Sequence, residues 1–401
     1  GWAGLIFGVY AINFLWAPLI DRLQLPFLSK KIGHRKSWII LMQMVIFIFL
    51  LIWSLLDPTK NLWLVIAVGL GIAISSATQD ITIDALRIEQ IEENEKNLLA
   101  AGAAVSVVGW WTGYKIGGLV SLLSADILQK QGIENYWQIS FLILSGIITL
   151  CSIGLLFIPE KNSKEKINSQ DIADQKILSK IGVSNQFTKS FAWLYGTIVN
   201  PLLSFFKKNT INVAFSILGF VFLFKIGEAF LGRMSIVFYK EIGFSKTDIA
   251  LYSKGIGWLT TVTFTLLGGL FAVRMGLVKA MFLSGVFMAL TNVLFSVLAW
   301  VGNSEILFAF TVLIDDLAAA FATVAFVGFI SALVDRTYTA TQYALLASIG
   351  TLGRTLFASS SGMMVDWLNG NWIIFFIITA LMVIPSLILL FFIRKKLNLN
   401  E

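Results

Sequence analysis

Apolar residues run for about twenty positions at a time, give way to a short polar turn, and start again, along the whole chain. Eleven such runs are legible, at 2–20, 38–56, 62–84, 98–123, 137–158, 210–232, 247–273, 277–301, 305–333, 340–366 and 371–393. Their length and continuity predict membrane-spanning helices. Barrel strands would instead alternate polar and apolar residues over about ten positions.

The turns carry charge unequally. Arg22, Lys30, Lys31, Arg35 and Lys36 follow span one, Arg394, Lys395 and Lys396 follow span eleven, and the stretch 159–209 holds a surplus of Lys. Basic residues in short loops stay on the cytoplasmic side, so these three belong inside, and the loops near 57–61, 302–304 and 367–370 belong outside. The loop 85–97 is richer in Glu than in Arg and Lys but falls inside by parity. The stretch 159–209 is the one linker. Within it, Phe187, Phe191, Trp193, Leu194, Ile198, Leu202 and Phe205 suit either an amphipathic interfacial helix or a partly ordered connector.

The basic turn after Arg22 has an echo in GGLFAVRMGLVKA (268–280), which makes the same kind of crossing after span seven. Parallel six-helix repeats resemble the major facilitator arrangement, an all-α membrane fold of two bundles around a central cavity. On that correspondence, span one is the second helix of its half and the first of twelve is missing from the sequence. The domains expected are an N-terminal bundle at 1–158, a cytoplasmic linker at 159–209 and a C-terminal bundle at 210–401.

Composition narrows the function. Charged residues make up 13% of the chain and hydrophobic ones 57%, against about 25% charged in a soluble domain, so the solvent is lipid. The net charge of +7 is accounted for by the loops, which leaves no basic module for nucleic acid. One Cys (Cys151) and one His (His34) exclude a disulfide framework and argue against a metal site; His34 reads as a solvated loop residue. No HExxH, Walker A or GxSxG signature is present, so neither an enzyme nor a cofactor is expected. Uphill transport would then draw on an ion gradient.

Ionisable groups inside apolar runs need a reason to be there. Asp315 and Asp316 fall near the middle of span nine. Two neighbouring carboxylates are costly to ionise together, which suits a proton carrier as well as a structural pair with a cation. Lys225 and Glu228 share a helix face in span six, as a local ion pair or as an anion ligand beside a proton site. Lys115 in span four and Arg354 in span ten lie deep, and Lys254 can snorkel; together these cations suggest an anion pocket, or pairing with the acidic residues. Trp110, Trp111 and Tyr114 offer faces for sugar rings, or for lipid. Glycines at 102, 109, 113, 117 and 118 suit close helix contact. Asp80, Asp84 and Arg87 form one stripe, read as a gating cluster near water at the inner end of span three. Asp21, Arg22 and Arg35 would lock the inner gate, or serve as an orientation signal alone.

Several of these segments resemble the AmpG-type muropeptide permeases: NFLWAPLIDR (13–22), KKIGHRKSWIILMQ (30–43), SATQDITIDALRIE (76–89), GAAVSVVGWWTGYKIGGLVSLLSAD (102–126), FKIGEAFLGRM (224–234) and YTATQYALLASIGTLGR (338–354). The acetyl-CoA transporters of the endoplasmic reticulum are a more distant branch. The resemblance implies proton-driven import of anhydro-muropeptides across a bacterial inner membrane for cell-wall recycling. It also directs interest to Asp80, Asp84, Arg87, Tyr114, Lys115, Lys225, Glu228, Gln342 and Arg354. The partners expected are a small anionic substrate, the proton and the bilayer, with the chain acting as a monomer. The alternatives are a permease for another anionic metabolite, such as an acyl-CoA or a sugar acid, and a non-transporting membrane sensor or assembly factor.

Overall fold

A computed structural model describes residues 3–56, 61–92, 95–160, 164–181, 186–245, 249 and 257–397. Lys254 and the side chains of Phe187 and Phe191 lie outside the described residues. The described residues form helices and turns, with no strand.

Span one is interrupted: α1 (Ala3–Ile12) passes through a 3-10 turn (Asn13–Leu15) into α2 (Ala17–Arg22). Pro18 sits in the first turn of α2, where its missing N–H costs little. A short α3 (Leu28–Ile32) precedes α4 (His34–Leu55), α5 (Leu62–Gln90), α6 (Leu98–Lys130) and α7 (Tyr136–Leu156). The linker holds α8 (Lys164–Ile181) and α9 (Gln186–Lys208). Span six divides into α10 (Ile211–Leu223) and α11 (Ile226–Glu241), with Lys225 at the break. There follow α12 (Gly257–Met275), α13 (Leu277–Val301), α14 (Glu305–Leu333), α15 (Thr339–Ala358), α16 (Ser361–Trp367), α17 (Trp372–Leu381) and α18 (Ile384–Ile393). Pro385 marks the break in span eleven.

Eight described segments are long and apolar enough to cross a membrane: His34–Leu55, Leu62–Gln90, Tyr136–Leu156, Ile211–Glu241, Trp258–Met275, Leu277–Val301, Glu305–Leu333 and Trp372–Ile393. The regions expected as spans one, four and ten are helical as well. Leu55, Phe157 and Ile306 are each more than 80% exposed. Such side chains need a lipid solvent.

Contacts divide the chain into two units. The first comprises Gly1–Glu92, Gly113–Lys208 and Val334–Ser348, and the second Glu93–Thr112, Asn209–Leu333 and Ile349–Glu401. In the first, α4 packs on α5 and α7, and α1 packs on α5. In the second, α14 packs on α12 and α13, and α17 on α11 and α13. An aromatic cluster holds that second group: Phe238 meets Phe376 edge-on at 4.7 Å and Tyr239 meets Phe308 at 4.6 Å.

Glycines act differently from the expectation. Among the described residues, a Cβ at Gly109, Gly113, Gly117 or Gly118 would meet no neighbour within 4 Å, so these four form no helix contact face there. The close approaches are elsewhere. A Cβ on Gly353 would run into the Phe222 carbonyl, and one on Gly227 would lie 2.5 Å from the Thr379 carbonyl. These two glycines bring the helices that carry Arg354 and Glu228 against their neighbours.

Candidate functional site

The densest polar cluster lies in the first unit, where the basic turn after span one meets the start of α15. Asp21 is 3% exposed and Arg35 is fully buried. Arg35 Nη2 donates to Asp21 Oδ1 at 2.6 Å and to Glu89 Oε1 at 2.7 Å, and its Nε donates to Glu89 Oε2 at 3.2 Å. Lys166 from the linker helix α8 reaches both carboxylates at 3.0 Å. Two cations therefore neutralise two anions, as buried charges require. Asp21 also accepts from the Ala340 N–H at 3.2 Å, the Thr341 N–H at 2.8 Å and the Thr341 hydroxyl at 2.7 Å. It thus supplies the first turn of α15 with a carboxylate partner for amides that a helix leaves unpaired, and it meets the positive end of the helix dipole. Burial pushes the Asp21 carboxyl up, but Lys166 and Arg35, with the Thr341 hydroxyl, hold it well below the usual carboxylate range.

Glu160 does the same for α4, accepting from the Arg35 N–H at 2.7 Å and the Lys36 N–H at 3.0 Å. His34 is not solvated, as the sequence suggested. It is buried, with Nε2 2.9 Å from the Ile20 carbonyl, because α4 starts at His34 and carries it under span one.

The linker helix docks on this cluster along a single stripe. Lys166, Gln170 and Asp174 are four residues apart, so they share one face of α8. Lys166 joins Asp21 and Glu89, Gln170 Nε2 donates to the Thr337 carbonyl at 2.9 Å, and Asp174 pairs with Arg22. Arg22 is thus engaged by α8 and stands 5.9 Å from the Trp193 ring centroid on α9. On α9, Leu194, Ile198 and Leu202 form an exposed apolar stripe at a spacing of four, the pattern of a helix lying at a membrane surface.

A polar track runs up α5. Tyr10 donates to Ser76 at 2.9 Å, and Asp80 comes within electrostatic reach of Asp84 and Arg87. Arg87 pairs with Asp84 at 2.9 Å and lies 5.8 Å from the Tyr343 ring centroid. The helix continues to Gln90 rather than ending at Asp84. Asp80 therefore sits ten residues before the helix end, roughly 15 Å deeper than that end, and not at its mouth.

In the second unit, Lys225 Nζ pairs with Glu228 Oε2 at 3.1 Å and donates to Thr323 Oγ1 at 2.7 Å. Arg354 is within electrostatic reach of Lys225. Asp315 accepts from Thr291 Oγ1 at 2.9 Å and has Glu228 and Asp316 within electrostatic reach. No cation lies at ion-pair distance from Asp315 among the described residues. Carboxyls and cations from α11, α14 and α15, with Lys225 at the α10–α11 break, therefore share one electrostatic neighbourhood.

The sequence profile of the Major Facilitator Superfamily matches residues 1–253, more than half of the chain. A Rickettsia felis protein named putative transporter AmpG 4 is 31% identical over 395 residues, covering 97% of this chain and 86% of its own. The chain belongs to the Major Facilitator Superfamily. Within it the permease is of the AmpG type, a multi-pass membrane transporter and not an enzyme. The anhydromuropeptide permease of Escherichia coli K12 is 27% identical over 399 residues, covering 99% of this chain and 73% of its own. Among solved structures, the proton:xylose symporter XylE superposes with a TM-score of 0.60 at 16% identity, covering 98% of this chain and 86% of its own. The Escherichia coli fucose:proton symporter FucP gives 0.61 at 15% identity, covering 98% and 90%. At such identities the structures establish the fold alone.

The remaining candidate residues of the permease fall in various places. Trp110 and Tyr114 share a face of α6 and are 57% and 66% exposed, while Trp111 packs beside Ala103, Val107 and Val324. Lys115 is half-buried on the same helix. Both ends of the Gln342 amide go to backbone: its Oε1 accepts from the Asp335 N–H at 2.7 Å and its Nε2 donates to the Pro201 carbonyl at 2.8 Å. Sequence reasoning passed over Glu89, Lys166, Asp174 and Thr341, and in the second unit Thr291 and Thr323. Lys166 and Asp174 could have been found from their spacing of four in a polar linker; a hydroxyl partner such as Thr341 leaves no such trace.

Proposed function

We propose that the protein imports anhydro-muropeptides across a bacterial inner membrane by proton-coupled alternating access. The observation that carries the reading is the near-full-length similarity to the Escherichia coli anhydromuropeptide permease. The charge neighbourhood in the second unit supports it. A muropeptide carries peptide carboxylates, and Lys225 and Arg354 are cations of the kind that hold them, Arg354 through a planar fork. Asp315 and Glu228 are the proposed proton sites, being carboxyls in spanning helices with no cation at ion-pair distance from Asp315 among the described residues. The Asp21–Arg35–Glu89–Lys166 cluster is the proposed inner gate, with Asp80, Asp84 and Arg87 on the track above it.

Gln342 is left out of the binding site because its amide is already committed to backbone partners. Trp110, Trp111, Tyr114 and Lys115 are proposed as a sugar-facing strip of α6, and Trp110 and Tyr114 have the exposure this requires. The test is uptake by the purified protein in proteoliposomes. A labelled N-acetylglucosaminyl-anhydromuramyl peptide should accumulate and be displaced by unlabelled muropeptide. Displacement by an acyl-CoA or a sugar acid instead would assign the protein to another anionic metabolite. Absence of any uptake would leave a sensor or assembly role. Arg354→Ala should raise the apparent KM at unchanged expression.

A further inference from the structure

A groove of about 230 Å³ opens in the second unit between the first turns of α13 and the end of α18. Its walls are Val278, Phe282, Leu283, Leu390 and Phe391. Two cations stand in it, Lys279 from the first turn of α13 and Arg394 just past the end of α18. Among the described residues, no acidic side chain lines it. Val278 and Leu390 are buried and form its floor, while Phe282 and Phe391 are 37% and 49% exposed at its rim. The Arg394 guanidinium lies 3.9 Å from the Phe391 ring centroid, so its charge is carried over an apolar surface. Lys395 and Lys396 follow directly, and Arg274 precedes the turn into α13.

The basic tail and the basic turn after span seven meet here, on the side the charge rule makes cytoplasmic. Both cations therefore stand at headgroup depth, and the apolar walls run from them toward the hydrocarbon. The volume is below the roughly 300–1,000 Å³ that encloses a drug-sized solute. A soluble anion would meet the cations alone and leave the aromatic walls uncovered. An amphiphile with a phosphate and a hydrocarbon chain satisfies both parts. Basic pockets between spanning helices on the cytoplasmic side hold such headgroups.

We propose that this groove binds an anionic phospholipid of the cytoplasmic leaflet, with its phosphate on Lys279 and Arg394 and one acyl chain along Phe282, Leu283 and Leu390. The site stands apart from the substrate reading, since it needs only the membrane and the orientation.

The experiment is native mass spectrometry of the full chain released from detergent micelles doped with phosphatidylglycerol or with phosphatidylcholine of the same chains. Wild-type protein should retain one phosphatidylglycerol in preference to phosphatidylcholine. The double variant Lys279→Gln/Arg394→Gln should lose at least fivefold of that preference. Lys279→Arg/Arg394→Lys should restore it, which separates lost charge from lost fold. Lys31→Gln/Lys207→Gln, which removes two cations outside the groove, should leave it unchanged. Equal retention of the two lipids by the wild type would overturn the proposal, as would full phosphatidylglycerol preference in the groove variant. Displacement of the lipid by millimolar inorganic phosphate would also overturn it, because the site would then take a soluble anion.

Discussion

Replacing Asp21 with Asn removes the charge at the centre of the Asp21–Arg35–Glu89–Lys166 cluster while keeping the side chain's shape. Asp21 accepts five hydrogen bonds, from Arg35, Lys166, the Ala340 and Thr341 amides and the Thr341 hydroxyl. Asn offers one oxygen in place of two and turns an NH₂ toward groups that are themselves donors. Breaking a buried ion pair costs about 3–5 kcal/mol. Glu89 still holds Arg35 and Lys166, so the low end, about 3 kcal/mol, applies. At about 1.4 kcal/mol per decade, the population in which α15 leaves span one should rise roughly a hundredfold. The assay is alkylation of Ala344→Cys in a Cys151→Ser background. Ala344 is buried among Ala17, Ile20, Ile81 and Ala85, so a thiol there reacts when this contact opens. In the Asp21→Asn variant, N-ethylmaleimide labelling should accelerate at least tenfold. An unchanged rate in a protein that remains folded would show that the charge cluster does not hold these elements together.

Three further outcomes follow from the same contacts. Lys166→Gln removes two charge-assisted bonds and should weaken α8 docking by about 2 kcal/mol, seen as roughly thirtyfold faster amide exchange in α8; exchange as slow as wild type would place the docking elsewhere. Gly353→Ala forces a methyl into the Phe222 carbonyl and should destabilise by about 1–3 kcal/mol in thermal unfolding, whereas Gly113→Ala, with open space, should be tolerated; equal melting temperatures would contradict the packing. Gln342→Ala leaves the Asp335 amide and the Pro201 carbonyl without their side-chain partner and should cost about 1–3 kcal/mol of stability while leaving the KM for substrate unchanged; a raised KM would return Gln342 to the binding site.

The spans were legible because lipid imposes a length and a composition that no other solvent does. What escaped was set by pairing. Hydropathy falls at Asp84, yet α5 continues to Gln90, and Arg35 and Lys166 neutralise Glu89 in its last turn. The loop charges mark the turn after span one as basic, but counting Lys and Arg does not say that Arg35 is buried between two carboxylates while Arg22 turns to α8. His34 reads in the sequence as a solvated loop residue; the fold starts a helix there and buries it. Gly109, Gly113, Gly117 and Gly118 form a pattern of small residues with no close neighbour among the described residues, and pattern alone cannot distinguish that from Gly353. In span six the charged pair was visible at its spacing of three, while the break at Lys225 and the Thr323 contact depend on helices distant in sequence.

The proposed proton coupling through Asp315 and Glu228 can be read from muropeptide uptake into right-side-out vesicles under an imposed pH gradient. Wild-type uptake should rise with external acidity and vanish with a protonophore, whereas Asp315→Asn or Glu228→Gln should retain substrate exchange but no longer accumulate substrate against its gradient. Gradient-driven accumulation at wild-type levels in both variants would contradict the account.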